Sequence, residues 1–430
     1  MIDDEIHSLT FMTMSQPEPT ENQLADVRMR GFVQRSTVNE VLSWIDQTAV
    51  PLTTESVPLS QAAGRVLAEH VQSNCNVPGF KRSMMDGYAV IADQTLGATP
   101  YQRLQFDVSD ESLPGRPASR TVERGTAVRI MTGAPLPAGA DAVLPAELTE
   151  VDGNRIWIQG EVSPGKHVGG IGEDVAHGNV VLEKSRILRP QDVGVLSSVG
   201  VAEVPVVRQP TIRIVVTGDE LLPSGTMPSG FQITDANGPM LRAFCERDGG
   251  IPNHPGIVAD RPASIREAMH EDVDVVLVSG GSSVGQEDHA PVILAEDGEL
   301  RFHGVAMRPS SPTGMGRLEH RLVFLLPGNP VSCLCAYDFF AGRAIRILGG
   351  RNPEWPYRKI YKPLRRKLVS AVGRVDYGRV RLENDELEPL AISGASVLST
   401  TTRADGFVVV PADSEGYAAG TVVEVWLYDA

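Results

Sequence analysis

The residues best suited to chemistry in this chain lie in Asp274-Val-Val-Leu-Val-Ser-Gly-Gly-Ser-Ser-Val-Gly-Gln-Glu-Asp288. Asp274 to Val278 reads as a short buried strand, followed by a loop of small residues, Ser279-Gly280-Gly281-Ser282-Ser283-Val284-Gly285. Glycine has no Cβ, so backbone N–H groups in such a loop approach an anion closely. Glu287 and Asp288 follow at once, and a helix is predicted from Ala290 to Ala295. An anion loop with carboxylates at its exit is the layout of a phosphate site that also holds a divalent cation. No Gly-Lys-Ser/Thr follows, so this is not a Walker A loop, and the spacing is not GxGxxG. Taken alone, the segment fits an ordinary tight strand-to-helix turn equally well.

The elements that must position this loop run from about 205 to 351. Apolar strands are predicted at Thr211-Ile-Arg-Ile-Val-Val, Asp274-Val-Val-Leu-Val and Arg321-Leu-Val-Phe-Leu-Leu, with helices near Gly238–Arg247, Pro262–His270 and Val331–Leu348. Apolar strands alternating with helices imply a parallel sheet covered on both faces. Ligands of such sheets bind beyond the carboxyl ends of the strands. Two more loops fall there: Thr217-Gly218-Asp219-Glu220, and Pro327-Gly328-Asn329-Pro330 opening a long helix. Asp and Asn also favour helix caps, so each loop alone has a structural explanation. Their repetition at three strand ends points to a site.

Outside this region the pattern changes. Residues 1–36 are polar, with Pro17 and Pro19, and read as a flexible extension. Helices are expected over Val38–Asp46, Leu59–His70 and Leu188–Ser198. Short strands and turns occupy 80–161, implying a small β domain inserted between 37–79 and 162–204, which would form a linker domain. The α/β domain is assigned to 205–352 and a C-terminal β domain to 353–430.

The bulk composition narrows the function. The chain has 430 residues, 42% hydrophobic and 22% charged, with 42 Gly and 31 Pro, values of a turn-rich multidomain globular protein. A formal net charge of −15 argues against a non-specific nucleic-acid binder or a polybasic membrane binder. Cys333-Leu-Cys335 lies in an apolar predicted helix and lacks zinc-knuckle spacing, so core packing is expected. No apolar run approaches the roughly 18 residues of a membrane span. With no signal-peptide pattern either, a cytoplasmic protein is expected.

Seven motifs then occur in order: Ser83-Met-Met-Asp86-Gly-Tyr-Ala-Val90, Arg129-Ile-Met-Thr132-Gly-Ala-Pro135, Gly172-Glu173-Asp174, Thr217-Gly-Asp-Glu-Leu221, Asp235-Ala-Asn237, Ser279-Gly-Gly-Ser-Ser-Val-Gly285 and Leu326-Pro-Gly-Asn-Pro330. Together they resemble the molybdopterin molybdenumtransferases, the MoeA-type enzymes related to the E domain of gephyrin, over roughly 37–430. The resemblance implies a multidomain α/β plus β fold. A central α/β parallel-sheet domain of the molybdopterin-binding type would stand with a β domain inserted in an N-terminal linker domain and a C-terminal β-barrel-like domain. It implies insertion of molybdate into adenylylated molybdopterin with release of AMP, assisted by magnesium. It also implies an elongated homodimer whose site forms between subunits. Molybdopterin adenylyltransferase and other cofactor-biosynthesis proteins are the further partners implied; neither nucleic acid nor membrane is.

The resemblance places roles residue by residue. Asp219, Glu220, Asp235 and Asp288 would bind the cation or polarise water, and hard oxygen donors suit Mg2+. Asp86, Asp219, Glu220 and Asp288 are the catalytic candidates. Gly280, Gly281, Ser282, Ser283 and Gly285 would cradle the substrate phosphate, with Gly328 and Asn329 shaping the opposing wall; Thr217, Gly218, Asn237, Ser279, Pro327 and Pro330 are further binding candidates. Asp86, Thr132 and Asp174 would face the partner subunit's site; turn geometry explains Thr132 equally well. In the tail, Arg374, Arg379 and Arg403, with Ser396 and Thr401, are candidate oxyanion contacts.

Two segments depart from the family pattern. Where the family commonly shows Lys-Pro-Gly-Lys-Pro, this chain has Arg308-Pro309-Ser310-Ser311-Pro312. Arg308 keeps the first charge, whereas Ser311 offers a hydroxyl without charge; Arg308, Ser311 and Pro312 stay candidates for the substrate pocket. Arginines usual before Gly-Glu-Asp are replaced by His167-Val-Gly-Gly-Ile171. Either the oxyanion pocket is rebuilt, or the chain is an altered paralogue that carries molybdopterin as a scaffold. Adenylyl transfer is a third possibility. Retention of Asp219, Glu220, Asp235 and Asp288 favours an enzyme, and the additional domains argue against an adenylyltransferase.

Overall fold

The computed structural model describes residues 35–281, 288–391 and 394–428. Ser282, Ser283, Gly285 and Glu287, and the expected extension up to residue 34, lie outside the described residues. The chain divides into two compact units, one of Pro51–Gln209 with Leu348–Asn352, the other of the chain up to Val50, Pro210–Ile347 and Pro353 onward.

In the smaller unit a six-stranded sheet runs in the order Ala142–Pro145, Gly87–Val90, Thr126–Ile130, Leu104–Ser112, Arg155–Ile158, Thr149–Asp152. Alternate residues of these strands, among them Tyr88, Val90, Phe106, Ala127, Leu144, Ile156 and Ile158, close one core. Ala89, Val128, Ile130 and Val143 face a second, as period-two patterning requires. A separate core gathers Val57, Leu67, Leu182, Leu196, Val204 and Val206 around the antiparallel pair Thr54–Pro58 and Glu203–Val207. The helix predicted over Leu59–His70 is absent beyond one turn, Leu59–Gln61. Gly64 has φ +80°, and the backbone after it is committed to distant partners. Leu67 N–H donates to Arg186 O at 2.9 Å, and Ala68 N–H to Pro205 O at 3.0 Å. Tertiary strand-like pairing therefore overrides helix propensity there.

The larger unit opens with helix α1 (Val38–Thr48), whose capping box pairs Thr37 with Glu40. The α/β sheet follows: β1 (Thr211–Thr217), β2 (Ile251–Asn253), β3 (Val275–Ser279), β4 (Glu299–His303), β5 (Gly314–Leu318) and β6 (Arg321–Leu326). Its order is β2-β1-β3-β6-β5-β4, with Ile257–Val258 pairing β1 as a seventh strand. β2, β1, β3 and β6 are parallel, whereas β5 runs antiparallel to both its neighbours, β6 and β4. The expected parallel sheet is thus mixed. The register places Leu318 opposite Arg321, so only Glu319 and His320 turn the chain, and so short a loop joins only antiparallel strands.

Val215, Val276, Val278, Val323 and Leu325 pack under α3 (Pro262–Met269) and α4 (Ala290–Asp297). α2 (Asn237–Arg247) and α5 (Pro330–Ala336) cover the opposite face. The predicted helix Val331–Leu348 is interrupted by a π-type turn over Tyr337–Ala341. There Tyr337 Oη donates to Asp248 at 3.0 Å within a buried cluster. The tail forms a six-stranded sheet ordered Met307–Arg308, Val375–Glu383, Gly406–Val410, Val422–Leu427, Arg358–Pro363, with Glu386–Ala391 on Val375–Glu383. Its first strand comes from the α/β region: Met307–Arg308 pairs parallel with Val375–Asp376. No helix among the described residues is long and apolar enough to cross a membrane.

Candidate active site at three strand ends

The loops after β1, β3 and β6 meet. A Cβ on Gly280 would lie 2.1 Å from Thr217 O, and one on Gly328 would lie 3.7 Å from the Gly280 Cα. Gly280 itself has φ +98°, so this close approach needs glycine twice over, for space and for conformation.

The chain leaves β1 through Gly218, Asp219 and Glu220, both carboxylates exposed, and returns by pairing Leu221–Leu222 with Ile233–Thr234. Asp235 N–H donates to Leu222 O at 2.8 Å. This return brings α2 to the strand ends, where Asn237 Nδ2 donates to Ser279 Oγ at 2.9 Å and to Gly328 O at 2.8 Å. One side chain thereby ties the segments after β1, β3 and β6. Because Gly328 O can only accept, the amide orientation is determined. Asn237 Oδ1 is left buried without a hydrogen-bond partner.

Asp235, placed by sequence among the cation ligands, is buried and already engaged. One oxygen accepts from Gly238 N–H at 2.9 Å, and the other faces His254 Nε2 at 3.3 Å. Burial pushes its carboxyl up, but the hydrogen bonds from His254 and Gly238 outweigh it and hold the group below the ordinary carboxylate range. Among the described residues, no group of three or more His, Cys, Asp and Glu is arranged to hold a metal ion. Asp288 is half-buried just before α4.

Several participants carry no sequence signal. His254 and Asp260, which accepts from Thr217 Oγ1 at 3.1 Å, belong to no motif. Cys333 Sγ lies 3.8 Å from Ser279 Oγ. Burial pushes the Cys333 thiol up to about 12, so it is a packing group and not a nucleophile. Cys335 is fully buried too, in keeping with the expected core role.

The departing segment Arg308–Pro312 arrives at the same place. Ser310, at φ +89°, donates from its hydroxyl to Ser332 O on the first turn of α5. Arg308 Nε and Ser311 Oγ are buried with no hydrogen-bond partner. A tail loop also reaches α5, where Val331 N–H donates to Ala395 O at 2.9 Å, beside exposed Ser396. The other tail candidates are occupied. Arg374 Nε donates to buried Asp376 at 2.9 Å, Thr401 Oγ1 to Leu398 O at 2.7 Å, and Arg403 Nε to Ser399 O at 3.2 Å. Arg379 is fully buried within the tail core, which removes it from any solvent-facing role.

In the smaller unit the motif residues Asp86 and Thr132 meet: Thr132 N–H and Oγ1 both donate to Asp86 Oδ1, each at 2.7 Å. Asp174 is exposed. Its neighbour Glu173 accepts from Arg82 Nη2 at 2.6 Å and from Gly170 N–H at 2.9 Å. The Thr132 amide, then its hydroxyl, hold the Asp86 carboxyl below its unfolded value of 3.8. A depressed carboxyl contributes stability above the unfolded value and loses it as pH falls through the folded one. Thr132→Val keeps the amide bond and removes the hydroxyl bond. Asp86 should then titrate higher than in the parent protein, the retained amide bond still favouring its charged form. Carboxyl-carbon NMR titration reads this directly, and an unmoved Asp86 curve would show that the hydroxyl bond does not form.

Fold and site geometry together define a multidomain chain built around an α/β domain whose loops converge at the carboxyl ends of its strands. Residues 36–200 match the MoeA N-terminal region (domain I and II), 213–346 the probable molybdopterin binding domain, and 362–428 the MoeA C-terminal region (domain IV). Molybdopterin molybdenumtransferase 2 of Mycobacterium tuberculosis is 34% identical over 383 residues, covering 86% of this chain and 94% of that one. The molybdopterin molybdenumtransferase of Haemophilus influenzae is 32% identical over 391 residues, covering 89% and 95%. A crystal structure of the molybdopterin biosynthesis MoeA protein of Pyrococcus horikoshii OT3 superposes with a TM-score of 0.75 at 32% identity, covering 92% of this chain and 100% of that one. The chain belongs to the MoeA family of molybdopterin molybdenumtransferases.

Proposed function

We infer that the chain is a transferase of a late step of molybdenum cofactor biosynthesis, inserting molybdate into adenylylated molybdopterin with release of AMP. The observation that carries this reading is the convergence of glycine loops suited to phosphate just before α5. The segment carrying Arg308 and Ser311 reaches α5 through Ser310, and both residues keep buried donors without partners. An oxyanion would satisfy a donor of this kind.

Asp219 and Glu220 are exposed in the loop after β1, and Asp288 stands two residues before α4. These are the residues that would hold Mg2+, which takes one or two carboxylates and completes its shell with substrate phosphate and water. When bound, the ion would neutralise charge on the phosphate linkage. The protein's own part is to hold the phosphates on backbone amides and to place the oxyanion by Arg308. Asp235 supports that arrangement through its hydrogen bonds to Gly238 and His254.

The test is AMP release by purified protein given adenylylated molybdopterin, molybdate and magnesium, repeated after chelation. Release that needs all three supports the reading; no release at any magnesium concentration overturns it. On the resemblance alone, we read the protein as a cytoplasmic homodimer. A single 46.3 kDa species in sedimentation at micromolar concentration, with full activity, would contradict the dimer.

A further inference from the structure

We propose that His254 is a positioning residue of the strand-end site, holding the turn that carries Asn237 through Asp235. The proposal rests on the transfer reaction inferred above for its kinetic readout only. His254 follows β2 and belongs to no motif. Its side chain is 13% exposed and that of Asp235 is 3% exposed. Nε2 faces Asp235 Oδ2 at 3.3 Å, and Nδ1 faces Ile214 O of β1 at 3.4 Å. The imidazole therefore spans from the middle of β1 to the carboxylate that starts α2.

Asp235 has its other oxygen on Gly238 N–H at 2.9 Å. One residue before that amide stands Asn237, donating to Ser279 Oγ at 2.9 Å and Gly328 O at 2.8 Å. The connection thus runs from β1 through His254, Asp235 and Asn237 to the loops after β3 and β6. Packing reinforces it: a Cβ on Gly238 would lie 2.3 Å from His254 Nε2 and 2.4 Å from Asp235 Oδ2. The ring and carboxylate lie directly against the helix backbone, with no room for a side chain between them. A carboxylate with one oxygen fastened can still swing; with both fastened it holds one orientation. His254 supplies the second fastening.

Two variants separate this role from simple filling of space. His254→Leu keeps much of the volume and removes both ring nitrogens. His254→Gln keeps an N–H donor able to reach Asp235. We expect His254→Leu to lower kcat for AMP release by about 10- to 100-fold, the usual cost of losing such a supporting contact, with KM changed much less. His254→Gln should recover most of the loss. In an Asn237→Ala background, His254→Leu should cost little further, because the link it supports is already cut. Amide hydrogen exchange at Gly238 should rise about tenfold or more in His254→Leu while global stability changes little.

Unchanged kcat in His254→Leu, unchanged exchange at Gly238, or a full additional loss in the Asn237→Ala background would each overturn the proposal. The exchange measurement needs no turnover. If the parent protein releases no AMP, the transfer reading fails while Gly238 exchange still decides the role of His254.

Discussion

Gly280→Ala is expected to abolish most AMP release and to lower the melting temperature. The added methyl would sit 2.1 Å from Thr217 O and 3.4 Å from Thr217 Cγ2. The first contact is backbone in a central strand and cannot rotate away. Overpacking of this kind costs about 1–3 kcal/mol. Placing a Cβ at φ +98° adds about 1–2 kcal/mol. Relief requires the loop after β3 to move away from both β1 and Gly328. Such a displacement of about 1 Å at a site built for phosphate costs on the order of 100-fold in rate. Thermal unfolding and kcat, measured together, check this. A variant with parental melting temperature and turnover would show that these loops do not meet as closely as described.

Arg308→Ala carries the second large effect. The guanidinium Nε and the Ser311 hydroxyl are both buried without partners, a cost of roughly 1–3 kcal/mol each if nothing meets them. An oxyanion at this segment would accept from such donors, and charge-assisted bonds from arginine contribute about 1.5–3 kcal/mol. Arg308→Ala should therefore weaken molybdate binding by about 10- to 100-fold. Ser311→Ala, losing one neutral bond of about 0.5–1.5 kcal/mol, should weaken it by about tenfold or less. Ser311→Lys restores the family's second charge and should tighten binding where the Ser310 turn accepts the longer chain. Calorimetric titration of molybdate into the three variants gives the order. Equal affinity in Arg308→Ala and the parent protein would place the oxyanion elsewhere.

Much of this site was legible along the chain because its signals are local. Apolar runs marked β1, β3 and β6, and the glycine, asparagine and acidic residues after them marked the end expected to bind a ligand. The core role of Cys333 and Cys335 was equally readable. What the sequence left hidden has one cause. Leu59–His70 has a helical pattern, yet its backbone pairs with residues more than 100 positions away. Arg379 reads as a candidate oxyanion contact, and only the fold shows that it is fully buried. Asp235 reads as a candidate cation ligand, and only the fold brings His254 against it.

Composition, period and the order of motifs determined the kind of protein, its principal strands and the loops that could bind an anion, since each depends on residues a few positions apart. Tertiary structure alone decided which groups face one another. It joined His254 to Asp235, Thr217 to Asp260, Val331 to Ala395 and Arg308 to the tail sheet beside Asp376. None of these pairs has a spacing that secondary structure repeats, so no periodicity in the sequence could announce them. They form because the carboxyl ends of parallel strands collect segments from distant parts of the chain, where burial makes each polar group find a partner or wait for a ligand.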